Sequence, residues 1–115
     1  MTIVLLSSDL TVLSRVEGAA TRLGQSVRSV SGESQVVERC KAAEVNTLIV
    51  DLSMSSLDLA SLVNQLKASE ASGTRVVAFG PHVHEQRLAA ARDAGCDVVV
   101  SRGQFFLQLD TILQR

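Results

Sequence analysis

One aspartate stands where a parallel sheet would place a reactive side chain. Asp51 directly follows the apolar run Thr47 to Val50 and precedes a loop of small residues, in the stretch TLIVDLSMSSLDL. In open parallel sheets, ligands bind in the crevice beyond the carboxyl ends of the strands. A carboxylate there should be exposed enough to stay charged. Asp51 could equally have a purely structural role, in which it ends the strand or caps the next turn.

Strands and helices alternate along the chain around this aspartate. Short apolar or alternating runs predict strands at Ile3–Leu6, Ser26–Val30, Thr47–Val50, Arg75–Phe79 and Asp97–Val100. Apolar residues at helical spacing predict helices over Leu10–Leu23, Glu33–Ala43, Asp58 to Ser72-Gly73, His84–Ala94 and Gln104–Leu113. Five alternations with short connections predict an α/β protein with a parallel sheet between two layers of helices.

The pattern within the strands predicts their order. Ser26–Val30 alternates apolar and polar residues, which is typical of a strand at a sheet edge, whereas the other four strands are uniformly apolar. This arrangement fits a doubly wound, flavodoxin-like (βα)5 fold with strand order 2-1-3-4-5. At 115 residues, we expect residues 1–115 to form a single domain.

This topology would bring several polar residues to the rim of one crevice. They follow different strands in the sequence but meet at the same edge of the sheet. The predicted rim consists of Ser7, Ser8, Asp9, Asp51, Ser53, Gly80, Ser101 and Arg102.

Composition excludes several classes of function. A net charge of -1 and a pI near 6.1 argue against binding to nucleic acid or to an anionic membrane surface. The amino terminus has no basic leader and no apolar span of about 20 residues, so a cytoplasmic protein is expected. Cys40 and Cys96 have no metal-binding spacing. Without Trp or Tyr, the chain lacks the usual residues for stacking on a flavin or a base.

Two segments resemble response-regulator receiver domains, the phospho-aspartate modules of two-component signalling. Asp51-Leu-Ser-Met-Ser-Ser-Leu-Asp58 resembles the family's D-x-x-M-P-x-M-D-G loop, in which the first Asp accepts the phosphoryl group. Asp93-Ala-Gly-Cys-Asp97 resembles its E-A-G-A-D turn. The likeness spans essentially the whole chain and implies that Asp51 occupies the acceptor position.

Other positions depart from the receiver pattern. Ser7 and Ser8 stand where the family has an acidic pair, with Asp9 one place late. Gly80 stands at the hydroxyl position, Val99 at the switching aromatic, and Arg102 at the lysine. Receiver phosphorylation uses Mg²⁺, a hard cation that neutralises charge as the phosphoryl group moves, and two serines do not supply that charge.

The departures indicate an atypical, pseudo-receiver domain that is not an enzyme. We expect no cofactor and no productive Mg-dependent phosphorylation of Asp51. If any metal binds, Asp9 and Asp51 are its only carboxylate ligands. Arginine suits paired hydrogen bonds to a carboxylate, so we also expect an ion pair between Asp51 and Arg102.

Such a domain would act by binding a protein partner in trans, with a homodimer as one form of that contact. Val99, Phe105 and Phe106 are the candidate interaction face, because two adjacent Phe on one helix cannot both face the core. Two alternatives stay open: a competent receiver that binds Mg²⁺ and accepts a phosphoryl group on Asp51, and a flavodoxin-like protein that binds a nucleotide or a flavin.

Overall fold

The apolar runs of the sequence pair into one parallel sheet. A computed structural model describes residues 2–42, 45–54, 57–69, 71 and 73–114. Its strands lie in the order 2-1-3-4-5, which confirms the predicted order and the edge position of the second strand. The strands are β1 Thr2–Leu6, β2 Ser26–Val30, β3 Val45–Asp51, β4 Arg75–Gly80 and β5 Val98–Ser101.

Helices cover both faces of this sheet, as predicted. They are α1 Leu10–Arg22, α2 Val36–Ala42, α3 Leu59–Lys67, α4 Glu85–Asp93, α5 Arg102–Leu107 and α6 Leu109–Gln114. Successive side chains of a strand point to opposite faces. Helices α1, α5 and α6 therefore bury one set of strand side chains, and α2, α3 and α4 bury the other.

Local sequence signals set several helix ends. Asp9 and Asp58 cap α1 and α3: the Asp9 side chain accepts hydrogen bonds from two amides of the first helical turn, and the Asp58 side chain accepts one from the Ser61 amide. Gly24 and Gly95 follow α1 and α4 with φ of 70° and 99°. This left-handed conformation costs glycine less than any residue with a side chain, so both helices end where the sequence predicts.

The last helix differs from its prediction. A single helix was expected over Gln104–Leu113, but α5 begins at Arg102 and the chain leaves helical geometry at Gln108, where φ is -105°. The earlier start comes from Ser101: its hydroxyl accepts a hydrogen bond from the Gln104 amide, and the Gln104 side chain accepts one from the Ser101 amide. This capping box opens the helix two residues before the predicted position.

Other boundaries differ as well. Helix α3 ends at Lys67, before the predicted Ser72-Gly73, and β3 begins at Val45, before the predicted Thr47. The segment predicted as one helix from Glu33 begins with the 3-10 turn Glu33–Gln35 before α2. Strand β5 begins after Asp97, because the Asp97 carboxylate accepts a hydrogen bond from the Val76 amide in place of a backbone carbonyl. The predicted helix end at Ala43, positions 55–56 of the loop after β3, and the predicted stop at Ser72 lie outside the described residues.

The helices are short. Over the part of the chain that the structure describes, none combines the length and the apolar character needed to cross a bilayer.

Candidate functional site: a buried carboxylate at the sheet crevice

Asp51 ends β3 with its side chain buried, with only 1% of the residue exposed. Its Oδ2 accepts a hydrogen bond from the Ser7 hydroxyl at 2.7 Å. Its Oδ1 accepts two from Ser53, from the amide at 3.0 Å and from the hydroxyl at 2.6 Å. The expected solvent exposure of Asp51 was wrong, because hydroxyl and amide donors take the place of water around the carboxylate.

Ser7 links this carboxylate to the start of α1. Its hydroxyl donates to Asp51 and accepts a hydrogen bond from the Asp9 amide at 3.1 Å. Ser7 is 7% exposed, whereas Ser8 beside it is exposed at the rim. Of the two serines that the resemblance aligns with the acidic pair of receivers, one therefore donates its hydroxyl to Asp51 and the other faces solvent.

Arg102 pairs with Asp9 and not with Asp51. Its Nη2 lies 2.8 Å from Asp9 Oδ2, so the predicted Asp51–Arg102 ion pair was wrong. The reason is geometric: Asp9 and Arg102 stand at the starts of α1 and α5, which pack on the same face of the sheet. Both Asp51 oxygens already accept hydrogen bonds from Ser7 and Ser53. The hydrogen bond from Arg102, together with amide donors of α1, lowers the pKa of the Asp9 carboxyl below its usual 3.8, although burial opposes the shift.

Leu52 occupies the space beside Gly80. A Cβ placed on Gly80 would lie 3.1 Å from the Cβ of Leu52, which is tighter than ordinary packing. The Leu52 amide bonds to the Phe79 carbonyl at 2.8 Å, and the Leu52 carbonyl accepts a hydrogen bond from Arg87 Nη1 at 3.0 Å. At Gly80, which the resemblance aligns with the hydroxyl position of receivers, the adjacent space is thus filled by a leucine whose backbone is hydrogen-bonded to β4 and α4.

Leu52 and Arg87 were not identified from the sequence. Leu52 stands beside the aspartate in the stretch of greatest interest, but nothing in its type or spacing indicates that it packs on Gly80. Arg87 lies in the first turn of a polar helix, where an arginine normally faces solvent. Both contacts depend on where α4 lies relative to β3.

The predicted interaction face is only partly available. Phe105 is fully buried and stacks on Phe79 with ring centroids 4.2 Å apart, so its assignment to an interaction face was wrong. Phe106 is half-buried, with the guanidinium of Arg102 5.1 Å from its ring centroid. Val99 is half-buried and packs against the core.

The remaining rim residues separate into two roles. Ser53 is exposed but points its hydroxyl at Asp51. The Ser101 hydroxyl accepts a hydrogen bond from the Gln104 amide as the cap of α5. The structure therefore gathers Ser7, Asp51 and Ser53 into one hydrogen-bonded group and assigns Ser101 to a helix end.

The donors present do not suit a magnesium ion. Mg²⁺ requires a near-octahedral set of oxygens that includes carboxylates. Ser7 and Ser8 bring neutral hydroxyls, and the carboxylates of Asp9 and Asp51 each already accept three hydrogen bonds. Across the described residues, His, Cys, Asp and Glu side chains form no group of three that could hold a metal ion.

Comparisons with known proteins agree on the fold. No family model matches the chain, and no curated protein does. The receiver domain of a sensor histidine kinase from Pseudomonas aeruginosa PAO1, solved with magnesium coordinated in its active-site cleft, is 20% identical and has a TM-score of 0.82, covering 99% of this chain and 94% of that one.

Two other solved structures are similar. A response regulator from Chloroflexus aurantiacus J-10-fl is 17% identical with a TM-score of 0.79, covering 99% of this chain and 98% of that one. A CheY-like protein, TadZ, from Pseudomonas aeruginosa PAO1 is 19% identical with a TM-score of 0.78, covering 100% of this chain and 98% of that one. This chain therefore has the fold of response-regulator receiver domains.

Proposed function

We propose that this protein is an atypical receiver domain that acts in signal transduction by binding another protein, and that Asp51 serves its architecture and not phosphoryl transfer. The carrying observation is the buried Asp51 carboxylate, hydrogen-bonded by Ser7 and Ser53. Ser7, a hydroxyl donor, stands at one of the two positions where the resemblance to receivers places an acidic residue. No enzymatic activity is proposed.

Phosphorylation of an aspartate makes a specific demand on its surroundings. A carboxylate oxygen must reach the phosphorus in line with the leaving group, while positive charge neutralises the transferred oxygens. Both Asp51 oxygens accept short hydrogen bonds, and the nearby cation Arg102 is bonded to Asp9. Phosphoryl transfer would first have to break these contacts, which supports a structural role for Asp51.

A competent receiver is the second candidate. The similar Pseudomonas aeruginosa histidine kinase domain was solved with magnesium in its active-site cleft, and this chain keeps an aspartate at the end of the corresponding strand. Under this alternative, Asp9 would leave Arg102 and turn toward Asp51 to bind the ion. The alternative predicts that Mg²⁺ and a phosphodonor together modify Asp51.

Acetyl phosphate tests the two candidates directly. We expect no phosphoryl adduct on the intact protein by mass spectrometry after incubation with acetyl phosphate and Mg²⁺, under conditions in which a competent receiver is fully modified. An adduct that forms in the wild type and is absent in Asp51→Asn would disprove the proposal. An adduct that persists in Asp51→Asn would lie on another residue and leave the role of Asp51 as proposed.

A further inference from the structure

A surface groove lies between helix α4 and the described residues that follow β3, and the Asp51 side chain does not line it. Its volume is about 420 Å³. The groove is open along one side, since Ala60, Arg87 and Ala90 on its walls are all exposed. It is lined by Leu52, Met54, Leu57, Asp58, Leu59, Ala60, Arg87 and Ala90.

The floor of the groove is apolar and joined to the core. Met54, Leu57 and Leu59 are partly buried and pack against the same core cluster as the interior of α3 and α4. Ala60 and Ala90 present only methyl groups, which leaves room for a bulky side chain from outside. Covering such a surface is favourable in proportion to the apolar area removed from water.

The groove carries one positive and one negative side chain. Arg87 and Asp58 both line it, and neither is in a salt bridge with any described residue. The bond from Arg87 Nη1 to the Leu52 carbonyl holds the guanidinium in place and leaves other N–H donors for a ligand. A guanidinium fixed in advance loses less freedom when it binds a carboxylate.

We propose that this groove binds a short segment of a partner protein in which bulky apolar side chains stand beside an Asp or Glu. The apolar side chains fill the space over Met54 and Leu57, and the carboxylate pairs with Arg87. Asp58 repels an acidic residue placed beside it, so the carboxylate of the bound segment should lie at Arg87 and not at Asp58. The inference rests on the proposed function in requiring a protein partner, but it uses side chains other than Asp51.

A second copy of the chain is a poorer occupant. Within the described part of the chain, the exposed large apolar residues are Leu10, Val83 and Leu107. Leu10 adjoins Asp9, whose carboxylate is bonded to Arg102 within its own chain. Leu107 and Val83 have no acidic residue directly beside them in the sequence. None of the three has a carboxylate directly beside it in the sequence that is free to pair with Arg87.

A peptide titration followed by ¹⁵N NMR tests the groove. The probe is Ac-Leu-Leu-Glu-Ala-Leu-Leu-Glu-Ala-NH₂, and its counterpart carries Lys in place of Glu. We expect the Glu peptide to shift the amides of Leu57, Ala60 and Ala90 with a Kd on the order of 1 mM or tighter. The Lys peptide should bind at least about fivefold more weakly, as should the Glu peptide to Arg87→Gln.

Two variants keep the outcome unambiguous. Arg92→Gln removes an exposed arginine from the same helix outside the groove and should leave peptide binding unchanged. Ala90→Leu fills the groove from an exposed position while Arg87 remains, and should abolish binding without unfolding the protein.

Several results would refute the proposal. They are equal binding of the Glu and Lys peptides, equal loss in Arg87→Gln and Arg92→Gln, unchanged binding in Ala90→Leu, and no shifts at millimolar peptide. Groove shifts that depend on protein concentration without peptide would assign the groove to a second copy and also refute it. The acetyl phosphate experiment reports only on Asp51, so each proposal can fail without the other.

Discussion

Ser7, which follows β1, supplies the buried Asp51 carboxylate with a hydrogen bond that water would otherwise donate. Ser7 donates to Asp51 at 2.7 Å, and both residues are buried. Leaving a buried acceptor without its donor costs more than the hydrogen bond itself contributes, since water does not reach the group to replace it. Ser7 is therefore a stabilising residue, and the exposed Ser8 beside it is not.

Replacing Ser7 tests this difference. We expect Ser7→Ala to lower the free energy of unfolding by about 1 to 3 kcal/mol, because Asp51 Oδ2 loses its donor. Ser8→Ala should change it by less than about 0.5 kcal/mol. Urea denaturation followed by circular dichroism measures both. Equal effects of the two substitutions would show that Ser7 has no special role at Asp51.

Leu52, the first residue after β3, is held between two neighbouring elements. Leu52 packs on Gly80 at the end of β4, and its carbonyl accepts a hydrogen bond from Arg87 of α4. The end of β4 and the position of α4 are thus linked through one leucine. In this arrangement a side chain at position 80 would require Leu52 to shift by a few tenths of an ångström, which the two backbone hydrogen bonds of Leu52 oppose.

Adding a methyl group at the end of β4 tests this packing. Gly80→Ala should destabilise the protein by about 1 to 3 kcal/mol, because the new Cβ would overpack against Leu52. Gly103→Ala is the matched control: nothing lies within 4 Å of its Cβ position, and in α5 the change should stabilise by about 0.5 to 1 kcal/mol. A stable Gly80→Ala protein would mean that Leu52 moves freely.

At the scale of the whole molecule, one ion pair connects elements near the two ends of the chain. Asp9 begins α1 and Arg102 begins α5, 93 residues later, and their side chains meet above the crevice. The pair spans the ends of β3 and β4, which lie between β1 and β5 in the sheet. It thereby joins the starts of two helices that are far apart in the sequence, as Arg22 and Asp110 join the end of α1 to α6.

Acid titration tests the charge on Asp9. Because the folded state lowers the pKa of the Asp9 carboxyl, its charge stabilises the fold above the unfolded value of 3.8, and this contribution disappears as the pH falls through the lower folded value. Asp9→Asn keeps a good helix cap but loses the charge. We expect this variant to be less stable than the wild type at pH 7.

The difference should shrink below pH 3.8, as measured by urea denaturation across the pH range. Asp58→Asn is the control, since Asp58 also caps a helix but is in no salt bridge with a described residue. A difference for Asp9→Asn that stays constant down to pH 2 would show that its charge is not what Arg102 recognises.

The sequence by itself determined the elements and their order. The apolar run before Asp51, the alternation in Ser26–Val30, and the glycines after α1 and α4 report local backbone conformation and burial, which neighbouring residues largely control. The strand order 2-1-3-4-5 followed from the uniformly apolar strands and the single alternating one. The rim residues Ser7 and Ser53 were also identified, since they follow predicted strands.

Only the tertiary structure decided how the side chains pair. Asp9 and Asp51 both lie near the crevice, and the sequence does not say which of them bonds to Arg102. The choice depends on where α1 and α5 lie on the sheet, and differences of a few ångströms in that placement decide whether a hydrogen bond forms. Periodicity carries no information about such distances, and for the same reason neither the burial of Asp51 nor the contact of Leu52 with Gly80 could be predicted.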